Sequence, residues 1–143
     1  MARVKIILPE HFTFSCSIPV RVTDINYGGH LGNDKLLSLL HEARLQFLAH
    51  LGCSELNAFG AGLIMTDVAI IYKNEGHYGD MLQVEMAAND LSTRGFDLYY
   101  RIYCERQGQR VDIAHAKTGL LCFDYQQRKI ATVPEGLKEK LQA

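Results

Sequence analysis

Long apolar segments are missing from this 143-residue sequence, in which no run approaches the ~20 residues that a membrane-spanning helix needs. Residues 1–4 likewise lack the apolar region of a secretory signal peptide. A strong net charge is also missing, because the formal net charge is -1, so no field favours nucleic acid or an anionic membrane. We therefore expect a cytoplasmic protein that binds neither nucleic acid nor membrane.

Paired metal ligands are missing as well. The four cysteines stand far apart without a Cys-x-x-Cys pair, and they are Cys16, Cys53, Cys104 and Cys122. The pair His41-Glu42 does not begin an HExxH motif, because Leu45 occupies the position of the second histidine. Free cysteines pack as small apolar side chains, so we expect buried, reduced thiols. The sequence predicts neither a disulfide framework nor a catalytic metal.

What is present suits an ordinary globular domain. Hydrophobic residues make up 48% of the chain and charged residues 22%, and the length allows one domain over residues 1–143. A long helix is predicted over 33–51, with Asn33 or Asp34 as the N-cap and Gly52 as the C-terminal stop. Its apolar side chains recur on one stripe, which contains Leu36, Leu40, Ala43, Phe47 and Leu51.

Two charged residues of this helix receive opposite interpretations. Glu42 falls on the side away from the apolar stripe, which indicates an exposed charge and argues against a role as a base. Arg44 falls inside the stripe, where a guanidinium needs a carboxylate or backbone oxygens as partners. We interpret Arg44 as structural, with Asp24 as its candidate partner.

The remaining periodicity is that of strands. Alternating or continuous apolar residues predict strands at 12–22, 63–73, 82–86, 96–104 and 111–123, and a short amphipathic tail follows at 134–141. The strand at 63–73 is apolar on both faces, so it needs cover on both sides, and we expect an obligate dimer. One helix with an antiparallel run of strands predicts an α+β fold, in which a curved sheet of about five strands wraps around a central helix.

Chemically capable side chains are concentrated between the first strand and the helix. Within ten residues stand a carboxylate, two amides, an imidazole, a phenol and a glycine pair, namely Asp24, Asn26, Asn33, His30, Tyr27, Gly28 and Gly29. Glycines let backbone approach a ligand, and a helix start offers unpaired N–H groups that hold an anion or an oxyanion. Strand-to-helix turns are often rich in Asp, Asn and Gly, so composition alone also allows a purely structural turn.

The order of these residues resembles a known family. The segment Val20-Arg-Val-Thr-Asp-Ile-Asn-Tyr-Gly-Gly-His-Leu-Gly-Asn33, with Glu42-Ala-Arg44 on the helix, is similar to the motif of hotdog-fold acyl-CoA thioesterases of the 4-hydroxybenzoyl-CoA thioesterase type. Residues 72–84 resemble its Y-x-x-P…G-D-x-L-x-V strand pair, and 114–134 resemble its last strand and ending. The resemblance implies a hotdog fold, an acyl-CoA substrate without any other cofactor, and a homodimer or dimer of dimers. It also implies a site at the dimer interface near the start of the helix.

One position departs from the family. Its catalytic carboxylate falls on Asn26, and an amide cannot serve as a general base. Asp24 can supply the charge while Asn26 and His30 orient water or substrate, in which case Asp24→Asn removes hydrolysis. Alternatively, the base comes from the partner subunit or another element, with Asp34 and Asp67 as candidates. The third possibility is that the site binds an acyl-CoA without hydrolysing it.

The substrate-binding candidates follow from the same resemblance. Tyr27, Gly29 and Asn33 stand beside the expected acyl site. Lys73, Arg128 and Lys129 are candidates for the phosphates of CoA, although scattered surface cations are common. A hotdog enoyl-CoA hydratase is a further alternative, because the chain shares the D-x-N of that motif. It lacks the proline, and its histidine is one residue too far.

Overall fold

The computed structural model describes residues 2–143, which form two helices and a six-stranded antiparallel sheet. The elements are β1 (Phe14–Pro19), a 3-10 turn (Val22–Asp24), α1 (Asn33–Leu51), β2 (Gly62–Tyr72), β3 (Met81–Asn89), β4 (Gly95–Arg106), β5 (Gln109–Asp124), β6 (Lys129–Ile130) and α2 (Glu135–Gln142). The strand order is β1-β3-β4-β5-β2, and β6 pairs with the end of β5. The predicted α+β architecture with one long helix is confirmed.

The first strand is shorter than predicted. It ends at Pro19, and the chain then enters the 3-10 turn, where the Asp24 N–H donates to the Arg21 carbonyl at 2.9 Å. Strand β6 was not predicted, because a two-residue strand has no periodicity to detect. Neither difference moves the turn that precedes α1.

Helix α1 occupies the predicted range, but its N-cap is Gly32 and not Asn33 or Asp34, which are already helical. The helix ends at Gly52 in the left-handed conformation (φ 87°), whose N–H donates back to the carbonyls of Ala49 and Leu48. Within residues 2–143, neither helix has the length and apolarity to cross a membrane.

The core lies between α1 and the sheet. Helix α1 contributes side chains that are almost fully buried, including Leu36, Leu40, Ala43, Phe47 and Leu48, whereas Leu51 is only partly buried. The sheet contributes apolar residues from β3, β4 and β5, such as Val84, Leu98, Ile102 and Ala116. Glu42 is exposed, as its position on the helix predicted.

The thiols follow the prediction only in part. Cys104 and Cys122 are buried, whereas Cys16 and Cys53 are only partly buried, and all four are free. Cys16 and Cys53 lie near the border of the core, where one side of each residue keeps access to solvent. Burial raises the pKa of Cys122 to about 11, so this thiol stays protonated and packs as an apolar group.

Strand β2 is an edge of the sheet. It pairs with β5 on one side, and no strand within residues 2–143 pairs with its other side. Met65 and Val68 on this strand are 42% and 38% exposed, so one chain does not supply the cover that the sequence predicts for both faces. An uncovered, apolar edge strand is a surface that favours pairing with another chain.

Candidate active site

The turn before α1 is closed by the side chain of Asn26. Its Oδ1 accepts the backbone N–H of Gly28 at 2.9 Å and of His30 at 3.2 Å. The Asn26 N–H donates to the His30 carbonyl at 2.8 Å, and Gly29 between them has φ +83°, which glycine adopts without strain. These bonds leave Asn26 with its amide NH₂ group as the free functional part.

The start of α1 carries unpaired donors. Gly32 has no side chain to cap the helix, so the first N–H groups, beginning at Asn33, are available to a ligand at the positive end of the helix dipole. The Tyr72 hydroxyl donates to the Asn33 carbonyl at 3.0 Å and ties the end of β2 to this helix start. Burial, with Asp34 nearby, raises the pKa of Tyr72, so the phenol remains a donor.

The turn between β2 and β3 faces the helix start. The Leu31 N–H donates to the Gly76 carbonyl at 2.8 Å, which joins the two turns directly. A Cβ at Gly76 would lie 2.9 Å from the Leu31 Cβ, so a larger residue would push the two turns apart. The backbone N–H groups of Lys73 and Asn74 donate to the Ile113 carbonyl at 2.8 and 3.3 Å and fix the other end of this turn on β5.

A cavity of about 320 Å³ lies between the two turns. Asn26, His30 and Asn33 line one side, and Lys73 and Glu75 line the other. Apolar side chains of Leu31, Leu36 and Ile113 complete the lining. The cavity therefore combines an apolar surface with an amide, an imidazole, a carboxylate, an ammonium group and a helix N-terminus, which is the composition of a small-molecule site.

Glu75 is a carboxylate of the cavity that was not among the residues predicted from the sequence. Its Oε2 lies 3.2 Å from the His30 Nδ1, but without hydrogen-bond direction, so Nδ1 has no hydrogen-bond partner within residues 2–143. The Glu75 side chain is 66% exposed and can move. A signal was present in the sequence, because Glu75 stands where the Y-x-x-P pattern of the resembling family has its proline.

An ion pair fixes the backbone beside Glu75. Arg106 donates to the Glu75 carbonyl at 2.7 Å and to the Asp80 carboxylate at 2.5 Å. Asp80 also accepts the backbone N–H of His77 at 2.8 Å. Burial acts against ionisation of Asp80, but the hydrogen bonds from Arg106 and His77 outweigh it and lower its pKa. The Glu75–Asp80 turn is therefore held by a charged network.

Asp24 lies outside the cavity lining. It is 3% exposed, and its Oδ2 accepts the Arg21 backbone N–H at 2.8 Å and lies 3.4 Å from the Arg21 Nε. The expected partnership with Arg44 is wrong, because Arg44 instead approaches Glu55 at 3.6 Å. Glu55 reaches Arg44 from the loop after α1, which sequence reasoning could not place. The catalytic role predicted for Asp24 therefore competes with a role for Glu75, the carboxylate that lines the cavity.

The two other candidate carboxylates also lie elsewhere. Asp34 borders a different depression, together with Met65 and Arg44. Asp67 lies on β2 and accepts a hydrogen bond from Lys117 at 2.6 Å, which lowers the pKa of Asp67. Of the three carboxylates that the sequence suggested, none lines the cavity within the described chain.

The predicted substrate-binding residues separate into two groups. Asn33 and Lys73 line the cavity, whereas Tyr27 and Gly29 do not, and Tyr27 is fully exposed. Arg128 and Lys129 lie at the turn between β5 and β6, and β5 separates them from the Gly62 end of β2, because Phe123 pairs with Gly62 on one side and with Ile130 on the other. The cavity lies at the Tyr72 end of the same 11-residue strand, about 33 Å away at 3.3 Å per residue.

Residues 20–141 match the model of the thioesterase-like superfamily. The chain belongs to this superfamily. A 1,4-dihydroxy-2-naphthoyl-CoA hydrolase from Synechococcus elongatus is 31% identical over 128 residues, which are 86% of this chain and 90% of that protein. A hydrolase of the same name from Microcystis aeruginosa is 30% identical over 125 residues, 85% of this chain and 88% of that protein.

Solved structures of thioesterases share the fold of this superfamily member. A 1,4-dihydroxy-2-naphthoyl-CoA thioesterase from Synechocystis superposes with a TM-score of 0.80 at 23% identity, over 90% of this chain and 95% of that one. A thioesterase superfamily protein from Jannaschia gives 0.81 at 16% identity, over 93% and 83%. The hotdog fold that the resemblance implied is thereby confirmed.

Proposed function

We propose that this chain is an acyl-CoA thioesterase, which hydrolyses a thioester to a free acid and CoA in the cavity at the start of α1. The observation that carries the proposal is the cavity itself, where a carboxylate, an imidazole and an uncapped helix N-terminus face one space. The relatives named as CoA hydrolases support the substrate class.

The helix start provides the electrostatic part of the mechanism. When water attacks a thioester, negative charge develops on the carbonyl oxygen, and preorganised N–H donors stabilise it. The unpaired N–H groups from Asn33 onward, at the positive end of the dipole, are suited to this role. The Asn26 NH₂ group adds a further donor, since Asn26 Oδ1 is already occupied within the turn.

Glu75 is the proposed general base. It is the carboxylate that borders the cavity, and its Oε2 lies 3.2 Å from the His30 Nδ1, so both side chains can contact the same attacking water. Glu75 takes a proton from water as the new C–O bond forms. The C–S bond then breaks, and the proton passes to the departing CoA thiolate.

A second copy of the chain completes the proposed site. Antiparallel pairing of two β2 edges would place the Gly62 end of one copy beside the Tyr72 end of the other. Arg128 and Lys129 of one copy would then lie near the cavity of the other, where they can bind CoA phosphates together with Lys73. We propose a homodimer on this basis; the cytoplasmic location, the absence of a resident cofactor and a dimer of dimers stay predictions.

Release of free CoA, followed with a thiol reagent, tests the activity. Aromatic acyl-CoAs come first, because the relatives are named for an aromatic substrate, and aliphatic acyl-CoAs follow. We expect Glu75→Gln to lower kcat by about 10²–10⁴-fold, the usual contribution of a general base. The control is Glu105→Gln, which changes an exposed carboxylate on β4 outside the cavity.

Each other outcome has a distinct meaning. Full activity in Glu75→Gln would remove Glu75 as the base. Loss of crotonyl-CoA absorbance without release of thiol would favour the hydratase. Saturable binding of acyl-CoA without either reaction would favour a protein that binds acyl-CoA without hydrolysing it. That alternative is chemically reasonable because position 26 carries an asparagine and not a carboxylate.

A further inference from the structure

Two histidines and a glutamate converge at the rim of the cavity. His30, Glu75 and His77 each offer one ligand atom, and these three atoms lie within 4.8 Å of one another. The imidazole rings of His30 and His77 have centroids 5.6 Å apart at an interplanar angle of 39°. His77 does not line the cavity, so thioester hydrolysis as proposed gives it no role.

The donor set suits a divalent transition metal. Imidazole is a preferred ligand of Zn²⁺, Co²⁺ and Ni²⁺, whereas Mg²⁺ and Ca²⁺ prefer sites made of oxygen atoms. Around a tetrahedral zinc ion, neighbouring ligand atoms lie about 3.3 Å apart. The three ligand atoms here, which lie within 4.8 Å of one another, therefore need to move only a short distance toward one another. Glu75 and His77 are exposed and can rotate, and His30 Nδ1 is left without a hydrogen bond within residues 2–143.

The backbone that carries these side chains is already fixed. The hydrogen bond from the Leu31 N–H to the Gly76 carbonyl joins the two turns immediately next to His30, Glu75 and His77. Asp80 accepts the His77 N–H, and Arg106 holds both Asp80 and the Glu75 carbonyl. Binding of an ion therefore requires ordering of side chains and no rearrangement of the fold.

We propose that His30, Glu75 and His77 form a binding site for one Zn²⁺-like ion at the mouth of the cavity. Bound metal would occupy the carboxylate and the imidazole that hydrolysis needs, so it would inhibit the enzyme reversibly. The inhibition rests on the proposed thioesterase function, whereas the binding itself does not.

Titration of metal-free protein with Co²⁺ tests the site without any substrate. We expect one ion per chain, with a visible d–d absorption band of a histidine-containing coordination sphere and displacement by Zn²⁺. His77→Gln removes one ligand and is expected to weaken Co²⁺ binding by more than about tenfold. Loss of a group that only supports a metal ligand already weakens metal binding by about tenfold or more. The control is His41→Gln. His41 does not belong to the cluster, and its Nε2 lies 2.6 Å from the Glu55 Oε1.

Zn²⁺ inhibition of acyl-CoA hydrolysis tests the consequence. His77→Gln keeps the basal rate, because His77 lies outside the cavity, and it loses the inhibition that the parent protein and His41→Gln show. Melting temperatures of both variants verify that they are folded. The absence of saturable Co²⁺ binding in the parent protein, or equal Co²⁺ affinity in His77→Gln, would overturn the metal site. A protein that binds Co²⁺ but releases no CoA would overturn the proposed function and leave the metal site standing.

Discussion

Asn26 is needed by the turn whatever its role in hydrolysis. Its Oδ1 accepts two backbone N–H groups, so the side chain sets the conformation that leads into α1. Its position in the family motif carries a carboxylate, and in this chain the carboxylate of the cavity comes from Glu75 on the opposite turn. The cavity of this chain thus receives its carboxylate from the turn between β2 and β3.

Asp24 belongs to the structure of the preceding turn. Its carboxylate is buried and accepts the Arg21 backbone N–H, while the Arg21 side chain is 67% exposed, so the ion pair itself contributes little. Asp24→Ala would leave a partly buried donor unpaired, and we expect a loss of about 1–3 kcal/mol in the free energy of unfolding. Chemical denaturation measures this loss.

The same variant separates the two carboxylates. We expect kcat of folded Asp24→Ala to fall less than about tenfold, which is below the 10²-fold minimum of a general base. Unchanged denaturation together with a loss of 10²-fold or more would return Asp24 to the mechanism as its working carboxylate.

Helix α1 has a buried and a solvent-facing side that the sequence distinguishes clearly. Ala43 is fully buried against the sheet, whereas its neighbour Glu42 is exposed and accepts a hydrogen bond from Gln46 at 2.8 Å. The phase of this helix, meaning which of its side chains face the sheet, can be tested by substitutions on its two sides.

Ala43→Arg and Glu42→Ala form a matched pair for this test. A charged, bulky side chain at Ala43 would overpack the core, so we expect a cost above about 3 kcal/mol or failure to fold. Glu42→Ala removes an exposed group, and its effect is expected to stay within about 0.5 kcal/mol. Thermal denaturation compares the two, and equal melting temperatures would show that the helix is phased differently.

At the scale of the whole molecule, the sheet ends at β2, whose outer backbone groups have no strand partner within residues 2–143. Strand β2 pairs only with β5 within residues 2–143, and Met65 and Val68 expose apolar surface along it. The β2 strand of a second copy can pair with these backbone groups and also cover the exposed apolar side chains. This is the physical basis of the proposed dimer.

Val68→Lys tests the dimer along β2. A lysine in a buried contact between two strands would be an unpaired charge, so we expect the Kd of dimerisation to rise at least about tenfold. Analytical ultracentrifugation at micromolar concentration measures the change, and circular dichroism verifies the fold. The control is Ile7→Lys, at a residue that is 89% exposed in the N-terminal segment. A well-folded parent monomer at this concentration would contradict the dimer.

The sequence alone determined the main elements and their order, without the 3-10 turn and β6. The 3.6-residue period of 33–51 gave α1 its bounds, because burial against a sheet requires an apolar stripe. Alternating or continuous apolar residues predicted the ends of β2 to β5 to within three residues. The motif around Asp24 and His30 indicated where the site begins. Gly52 ended the helix as expected, because glycine adopts the left-handed conformation without strain.

Only the tertiary structure decided which side chains meet. Glu75 is 45 residues from His30 in the sequence, yet the Leu31–Gly76 hydrogen bond brings their turns together. Arg44 meets Glu55 and not Asp24, because the loop after α1 folds back against the helix. Local periodicity reports which face of an element is buried, whereas contacts between distant turns depend on how the sheet curves and packs. The identity of the carboxylate in the cavity therefore follows from the fold and not from the spacing of the motif.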